Sequence, residues 1–169
     1  YYLKRWGFCI KYNDYKKLKA GKYHVRVNSK FIRGKMHYGE IIIKGKTTNE
    51  IFLSTNICHP SLANNELSGP VLTLMLSNYL KTIDNWYTYR IIFIPETIGS
   101  IAYLHSNKNF IKNVVGGYNI VCVGDDKNFS FLESRNGNTI SDKAAKFILN
   151  KNNINYQSYS FLQRGSDER

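Results

Sequence analysis

Short apolar runs alternate with segments of helical periodicity over most of the chain after residue 50. Three apolar runs are predicted to be buried strands, at 51–55, 89–94 and 118–123. Apolar residues recur at helical spacing over three other segments, 69–81, 98–106 and 141–150. Because a strand, a helix and a second strand in succession usually form a parallel crossover, this order predicts an α/β fold with a mostly parallel sheet.

The first fifty residues show a different pattern. Tyr23, Val25 and Val27 alternate with polar residues, as a half-buried strand requires, and 37–43 is also predicted to be a strand. Together they predict a β-hairpin over 22–44. Near the other end of the chain, 129–132 and 156–161 are predicted to be two further strands.

The three central strands are each followed by a polar loop with a possible metal ligand. His59 follows the first strand, Glu96 the second and Asp125 the third. Because the carboxyl ends of parallel strands meet at one edge of a sheet, these residues are expected to converge on one site. Imidazole nitrogen and carboxylate oxygen are ligands that zinc accepts, and Glu66 and Asp126 offer further carboxylates.

Each of these residues also has a structural interpretation. A histidine such as His59 often caps a strand or packs in a core, and Asp125 with Asp126 also fits a turn. Glu96 is different, because a carboxylate directly after a buried strand loses hydration unless it has a partner. Cys58 is next to His59, but consecutive residues leaving a strand tend to point apart, so a catalytic dyad is not expected and Cys58 is interpreted as a small buried residue. The serines lack a nucleophile-elbow sequence, which argues against a serine hydrolase.

Charge and cysteine content bear on partners and location. The formal net charge is +12, but the lysines are scattered without an arginine-rich stripe or a base-reading motif, so nucleic-acid binding is not expected. The three cysteines lack paired spacing, which favours reduced thiols and a cytoplasmic protein. No long uncharged apolar run is present, so no membrane span is expected.

Several motifs resemble the aminopeptidase-like domain family, which is related to the two-zinc exopeptidases. They are STNICHPSLANNELSGP, RIIFIPETIGSIAYL, IVCVGDD, ESRNGNT and FLQRGSDER, with YYLKRWGFC and YGEIIIKG near the start. The resemblance implies an α/β/α sandwich of zinc-exopeptidase type with a small inserted β segment near 22–46. The chain begins at Tyr1 without an initiator Met, so 1–169 is expected to be an incomplete catalytic domain of a longer protein.

The resemblance also implies roles for individual residues. His59 corresponds to a metal ligand, and Asn65 occupies the position of the bridging aspartate in the family's DN-x-SG motif. Glu96 corresponds to the general base, and Asp125 to a later carboxylate ligand. Asp167, in RGSDER, corresponds to a residue that orders the site. The implied cofactor is zinc and the implied substrate a small peptide or amide, while the oligomeric state stays open.

Three departures from the family pattern affect the expected activity. Asn65 replaces the bridging carboxylate by a neutral amide, although Glu66 is next to it. Thr97 follows Glu96 where exopeptidases have a second glutamate. The final histidine ligand of the family lies beyond Arg169.

Three functions are therefore compatible with the sequence. The leading one is a zinc-dependent aminopeptidase-like hydrolase that cleaves a peptide or amide bond with metal-activated water. A catalytically impaired pseudoenzyme or binding module on the same scaffold is the second. An amidase that acts on a sugar or lipid conjugate is the third.

Overall fold

The computed structural model describes residues 7–59, 63–163 and 167. The chain divides into two compact units, residues 1–34 and residues 35–169. The first unit contains one helical turn, α1 (Tyr12–Tyr15). The second unit contains, in chain order, β1 (Gly39–Ile43), β2 (Glu50–Asn56), α2 (Ala63–Glu66), α3 (Ser68–Leu80), β3 (Thr88–Ile94), α4 (Ile98–Ser106), a 3₁₀ turn (Phe110–Asn113), β4 (Val114–Asn119), β5 (Phe129–Leu132), α5 (Ile140–Lys151) and β6 (Tyr156–Tyr159). None of the helices in these described ranges has the length and apolarity that a membrane crossing requires.

Four strands form the main sheet, in the order β1–β3–β2–β4. β2 pairs in parallel with both β3 and β4, and β1 pairs antiparallel with β3 at the edge. The predicted α/β class with a mostly parallel central sheet is confirmed, as is the adjacency of its three central strands. β5 and β6 pair in parallel in a separate two-stranded sheet.

The predicted β-hairpin over 22–44 is wrong. Residues 22–38 form no strand, and Gly39–Ile43 pairs with β3 instead of with a preceding strand. The alternation at the start of this range is not accompanied by burial, because Val27 is 71% exposed. The resemblance implies an inserted β segment near 22–46. In the structure this range contains only one strand, β1, which belongs to the main sheet.

The third central strand was predicted too late in the chain. It runs over Val114–Asn119 and not over 118–123, and it contains Gly116 and Gly117. Glycines weaken a strand pattern, but here one of them permits a close approach between strands. A Cβ on Gly117 would lie 2.3 Å from the carbonyl oxygen of Phe52 in β2.

Helices α3 and α4 cover opposite faces of the main sheet. Leu80 of α3 packs in one cluster with Leu53 and Ile91, whereas Tyr103 of α4 packs in a second cluster with Ile92. Neighbouring residues of β3 thus point into different layers, as the strand period requires. The connections after β2 and β3 leave toward opposite faces of the sheet. The crevice between the ends of these two strands is therefore a topological switch point, and ligands of α/β proteins bind at such points.

Candidate metal centre

Four side chains that can ligate a metal meet at the carboxyl end of the main sheet. They are Cys58, His59, Glu66 and Glu96, and one potential ligand atom of each lies within 4.8 Å of all the others. The Nε2 atom of His59 lies 3.5 Å from Oε2 of Glu96. The two residues that the sequence placed at neighbouring strand ends are therefore in contact at one edge of the sheet.

The register of β2 and β3 explains why His59 and Glu96 meet. Asn56, the last residue of β2, is opposite Ile94, the last residue of β3. The N–H of Ile57 extends this ladder by donating to the carbonyl oxygen of Ile94 at 3.1 Å. Since adjacent strands lie about 4.8 Å apart, the two loops leave the sheet side by side.

Glu66 is the most buried member of the group, with 6% of its surface exposed. Its carboxylate accepts hydrogen bonds from the backbone N–H of Cys58 and from Nδ2 of Asn65, the latter at 2.9 Å. Glu50 is equally buried at 6% but is paired with Arg90, whose Nε lies 2.6 Å from its carboxylate. Within the described ranges Glu66 has no comparable cationic partner. The hydrogen bonds that Glu66 accepts from described residues come from neutral groups, and a buried carboxylate in such a setting favours the binding of a cation.

Cys58 was not predicted to belong to the site. It was expected to be a small buried residue, but it is exposed, and its Sγ lies 3.9 Å from Oε1 of Glu66. Cys58 and His59 lie past the end of β2, where the strand alternation that separates consecutive side chains no longer applies. The available signal was the Cys-His pair itself, because both residue types ligate zinc.

The environment of the Cys58 thiol acts on its pKa in opposite directions. Partial burial of the sulfur raises the pKa most. The backbone N–H of Glu96, which donates to the sulfur, lowers it, and the carboxylates of Glu66, Glu96 and Asp167 raise it again. The net result is a raised pKa, so the thiolate needs a positive charge nearby to be stabilised.

Asn65 lies beside the group and contacts one of its members. Its Nδ2 donates to Glu66, and its Oδ1 lies 3.4 Å from the Sγ of Cys122, which donates to it. The amide therefore orients the buried carboxylate of Glu66. A role for Asn65 as a metal ligand stays a prediction.

Asp125 lies outside the group of four. Its Oδ2 accepts a hydrogen bond from Nδ2 of Asn64 at 3.1 Å, and Oδ1 of Asn64 accepts one from the N–H of Gly124 at 2.8 Å. Asn64 thus ties the loop after β4 to α2. The predicted role of Asp125 as a ligand also stays a prediction.

The turn after Glu96 has a strained backbone. Thr97 has φ 63° and ψ −71°, and the N–H of Ile98 donates to the carbonyl oxygen of Glu96 at 2.7 Å. This is a γ-turn with positive φ, a rare and strained conformation that tends to occur at functional sites. The carboxylate of Asp167 accepts hydrogen bonds from the N–H of Thr97 at 2.6 Å and from the hydroxyl of Ser100. These contacts fit the ordering role that the resemblance implies for Asp167.

A cavity of about 1090 Å³ opens beside the carboxyl end of β4. Aromatic and small polar side chains line it, including Phe52, Ser54, Tyr118, Asn119 and Phe129. Asp167 also lines the cavity and contacts the turn after Glu96, and Asn64, two residues before Glu66 in α2, lines it as well. Cys58, His59, Glu66 and Glu96 are not among its described lining residues. Its volume is that of a pocket for a small organic ligand.

The fold is a mixed α/β fold with a mostly parallel central sheet, and a solved structure shares it. A solved structure from Clostridium acetobutylicum, provisionally described as a peptidase, matches with a TM-score of 0.75 and 38% sequence identity. The match covers 78% of this chain and 31% of that chain.

The chain belongs to the family described as "Domain of unknown function (DUF4910)", whose model matches residues 15–169. It is also 36% identical over 169 residues to a protein of Clostridium acetobutylicum. That relative is provisionally named a polysaccharide biosynthesis protein with an aminopeptidase-like domain. The alignment covers all of this chain and 39% of the relative, so the chain spans well under half of the relative's length.

Proposed function

We propose that this chain is part of a zinc-dependent aminopeptidase-like hydrolase that cleaves a peptide or amide bond. The observation that carries the proposal is the convergence of Cys58, His59, Glu66 and Glu96, whose potential ligand atoms lie within 4.8 Å of one another. The peptidase and aminopeptidase-like names of the two relatives support the same class of reaction.

The donor set fits zinc. Imidazole nitrogen, thiolate sulfur and carboxylate oxygen bind this ion at about 2.0–2.3 Å, which places tetrahedral ligands roughly 3.3–3.8 Å apart. The spacing of up to 4.8 Å thus requires an inward movement of about 1 Å. A bound zinc ion would supply Lewis acidity, which polarises a carbonyl group and lowers the pKa of water.

Glu96 is the proposed general base. Its half-buried carboxylate adjoins His59, and its backbone is fixed by the γ-turn and by Asp167. Glu96 takes a proton from the attacking water and passes it to the leaving amine. The cavity beside β4, which Asn64 and Asp167 line, would provide room for the remainder of a small peptide or amide substrate.

Two observations favour the alternative functions. Asn65 supplies no charge to the centre and Thr97 supplies no second carboxylate, as expected for an impaired enzyme or a binding module. The name of the relative mentions polysaccharide biosynthesis, which favours an amidase acting on a sugar conjugate. A cytoplasmic location is proposed in either case, because three cysteines without paired spacing favour reduced thiols.

The test is Glu96→Gln, which preserves shape but removes the proton acceptor. The expected result is a fall in hydrolysis of roughly 10²–10⁴-fold with zinc content unchanged. Glu133→Gln is the matched control, since Glu133 pairs with Lys146 elsewhere in the fold and should retain activity. Aminoacyl anilides and N-acylated amino sugars would separate peptidase from amidase.

A fully active, folded Glu96→Gln variant would contradict the proposed role of Glu96. Zinc binding without turnover of any substrate would favour the binding module. Absence of zinc binding by the purified protein would reject the proposed function itself.

A further inference from the structure

We infer that Cys58 is a metal ligand, so that Cys58, His59 and Glu66 hold the ion while Glu96 serves as the base. The inference rests on the proposed function and specifies its centre. The family's bridging aspartate would supply a negative charge, which the neutral Asn65 does not. In this inference the Cys58 thiolate supplies that charge.

The sulfur of Cys58 is fixed from two sides of the centre. On one side, the backbone N–H of Cys58 donates to the carboxylate of Glu66, whose Oε1 lies 3.9 Å from Sγ. On the other side, potential ligand atoms of His59 and Glu96 lie within 4.8 Å of the same sulfur. Hydrogen bonds such as the one from the N–H of Cys58 to Glu66 orient ligands in metal centres and tune their donor strength. Cys58, in the loop after β2, thus lies close to the imidazole of His59 and to the carboxylates of Glu66 and Glu96.

The ligand count favours the same assignment. Catalytic zinc centres use three protein ligands and keep one position for water or substrate. If Glu96 acts as the base, Cys58, His59 and Glu66 are the three members of the group of four that remain to bind the ion. One thiolate and one carboxylate together balance the charge of a divalent cation.

A sulfur ligand also predicts which metals the centre prefers. Thiolate favours zinc and cobalt over magnesium and manganese, which prefer oxygen ligands. The competing explanation is that Cys58 remains a protonated thiol that donates to Glu66. In that case the sulfur makes no bond to the metal, and the metal preference follows from His59 and Glu66 alone.

Cobalt(II) distinguishes these two explanations directly. Titrating metal-free protein with Co²⁺ should produce a thiolate-to-cobalt charge-transfer band in the near ultraviolet, saturating at one equivalent. The band should disappear in Cys58→Ser and persist in Cys122→Ser and Cys9→Ser. Zinc affinity should fall by at least about 10–100-fold in Cys58→Ser, since even outer contacts of metal ligands have effects of that size.

Thiol alkylation provides a second measurement that needs no enzymatic activity. All three cysteines are exposed, so the metal-free protein should react at all three. Zinc should protect one of them, and peptide mapping should identify it as Cys58. Cys122 and Cys9 should react equally with and without zinc.

The possible outcomes separate the inference from the proposed function. Bound cobalt with visible absorption but no charge-transfer band would overturn the role of Cys58 and leave the hydrolase proposal standing. If the protein binds neither cobalt nor zinc, both the inference about Cys58 and the hydrolase proposal are overturned. The measurement on the unmodified protein decides the question even if the Cys58→Ser variant does not fold.

Discussion

The carboxylate of Asp167 accepts a hydrogen bond from the backbone N–H of Thr97 at 2.6 Å, immediately after Glu96 in the chain. A second oxygen of the same carboxylate accepts a hydrogen bond from the hydroxyl of Ser100 in the first turn of α4. A residue from the end of the described chain therefore fixes the turn that carries the proposed base.

Asp167→Asn should slow turnover without removing the metal. The amide has only one oxygen and cannot accept both hydrogen bonds, so the turn after Glu96 becomes less well fixed. We expect kcat to fall by about 10-fold, at the lower end of effects measured for outer contacts of metal centres. KM and zinc content should stay unchanged. Ser100→Ala is the control, because it removes one hydrogen bond and keeps the one from Thr97, and its effect should be smaller.

Thr97→Gly should stabilise the protein. Strain at a positive φ is worth on the order of 1–3 kcal/mol, and glycine removes it at an entropic cost of roughly 0.5–1 kcal/mol. The free energy of unfolding should therefore rise by about 1 kcal/mol, measured by urea denaturation. Thr97→Ala keeps the Cβ atom and hence the strain, so it should show no such gain. Equal stability of the two variants would mean that the γ-turn is not strained by the side chain.

Asn65→Asp should raise zinc affinity and lower the stability of the metal-free protein. The new carboxylate adds charge for a cation, but without metal it faces Glu66 and loses the hydrogen bond donated to that residue at 2.9 Å. Loss of a hydrogen bond to a charged group is worth about 2 kcal/mol. Calorimetry of zinc binding and melting with and without zinc measure both effects.

Asn64→Asp provides the matched control for that substitution. It adds the same charge one residue away, where the side chain contacts Gly124 and Asp125 and not Glu66. Zinc affinity should change less than in Asn65→Asp. Unchanged zinc binding in Asn65→Asp itself would show that position 65 does not face the metal.

Asp142 should make stability depend on pH in acid. Burial raises the pKa of this carboxyl, but hydrogen bonds from Ser134 and Thr139 outweigh burial and lower the pKa to about 2. Because the folded pKa lies below the unfolded value of about 3.8, the group stabilises the fold above pH 4. That stabilisation is lost as the pH falls from about 4 toward 2.

Asp142→Asn is the variant that tests this dependence. The wild type should be more stable at pH 6 by on the order of 2 kcal/mol, since each pKa unit corresponds to about 1.4 kcal/mol. The difference should shrink toward zero near pH 2, as measured by denaturant titrations at several pH values. A difference that stays constant with pH would show that the capping box of Thr139 and Asp142 at the start of α5, and not the charge, provides the stability.

The three longer helices and most strands could be predicted because their apolar residues recur at helical spacing or form short apolar runs. The segment predicted as helical at 98–106 coincides with α4 (Ile98–Ser106), and the strand predicted at 129–132 coincides with β5 (Phe129–Leu132). The hairpin prediction was wrong because the alternation at 23–27 is a local pattern. Such a segment forms a strand only when a partner strand pairs with it. The shift of β4 arose because two glycines within the strand look like a turn.

The candidate site was predicted in outline and incompletely in composition. Strand ends placed His59 and Glu96 together, since that follows from parallel pairing alone. Cys58 was missed because its direction depends on the path of the loop after β2. Glu66 was recognised only as a nearby carboxylate, because its burial and its hydrogen bond to Cys58 are set by tertiary contacts. Local sequence does not encode these distances.

β2 and β3 end at paired residues, Asn56 and Ile94, and this pairing affects which sequence changes the protein can tolerate. The distance between the loop that carries Cys58 and His59 and the loop that carries Glu96 is set by the backbone hydrogen bonds between β2 and β3. These hydrogen bonds do not depend on which residues form the loops. Substitutions at positions such as 65 and 97 can therefore alter the chemistry while the distance between the two loops is preserved. A one-residue insertion within β2 would have the opposite effect, because it would shift the register and carry His59 away from Glu96. The loops should accordingly tolerate variation, and the lengths of the two strands should not.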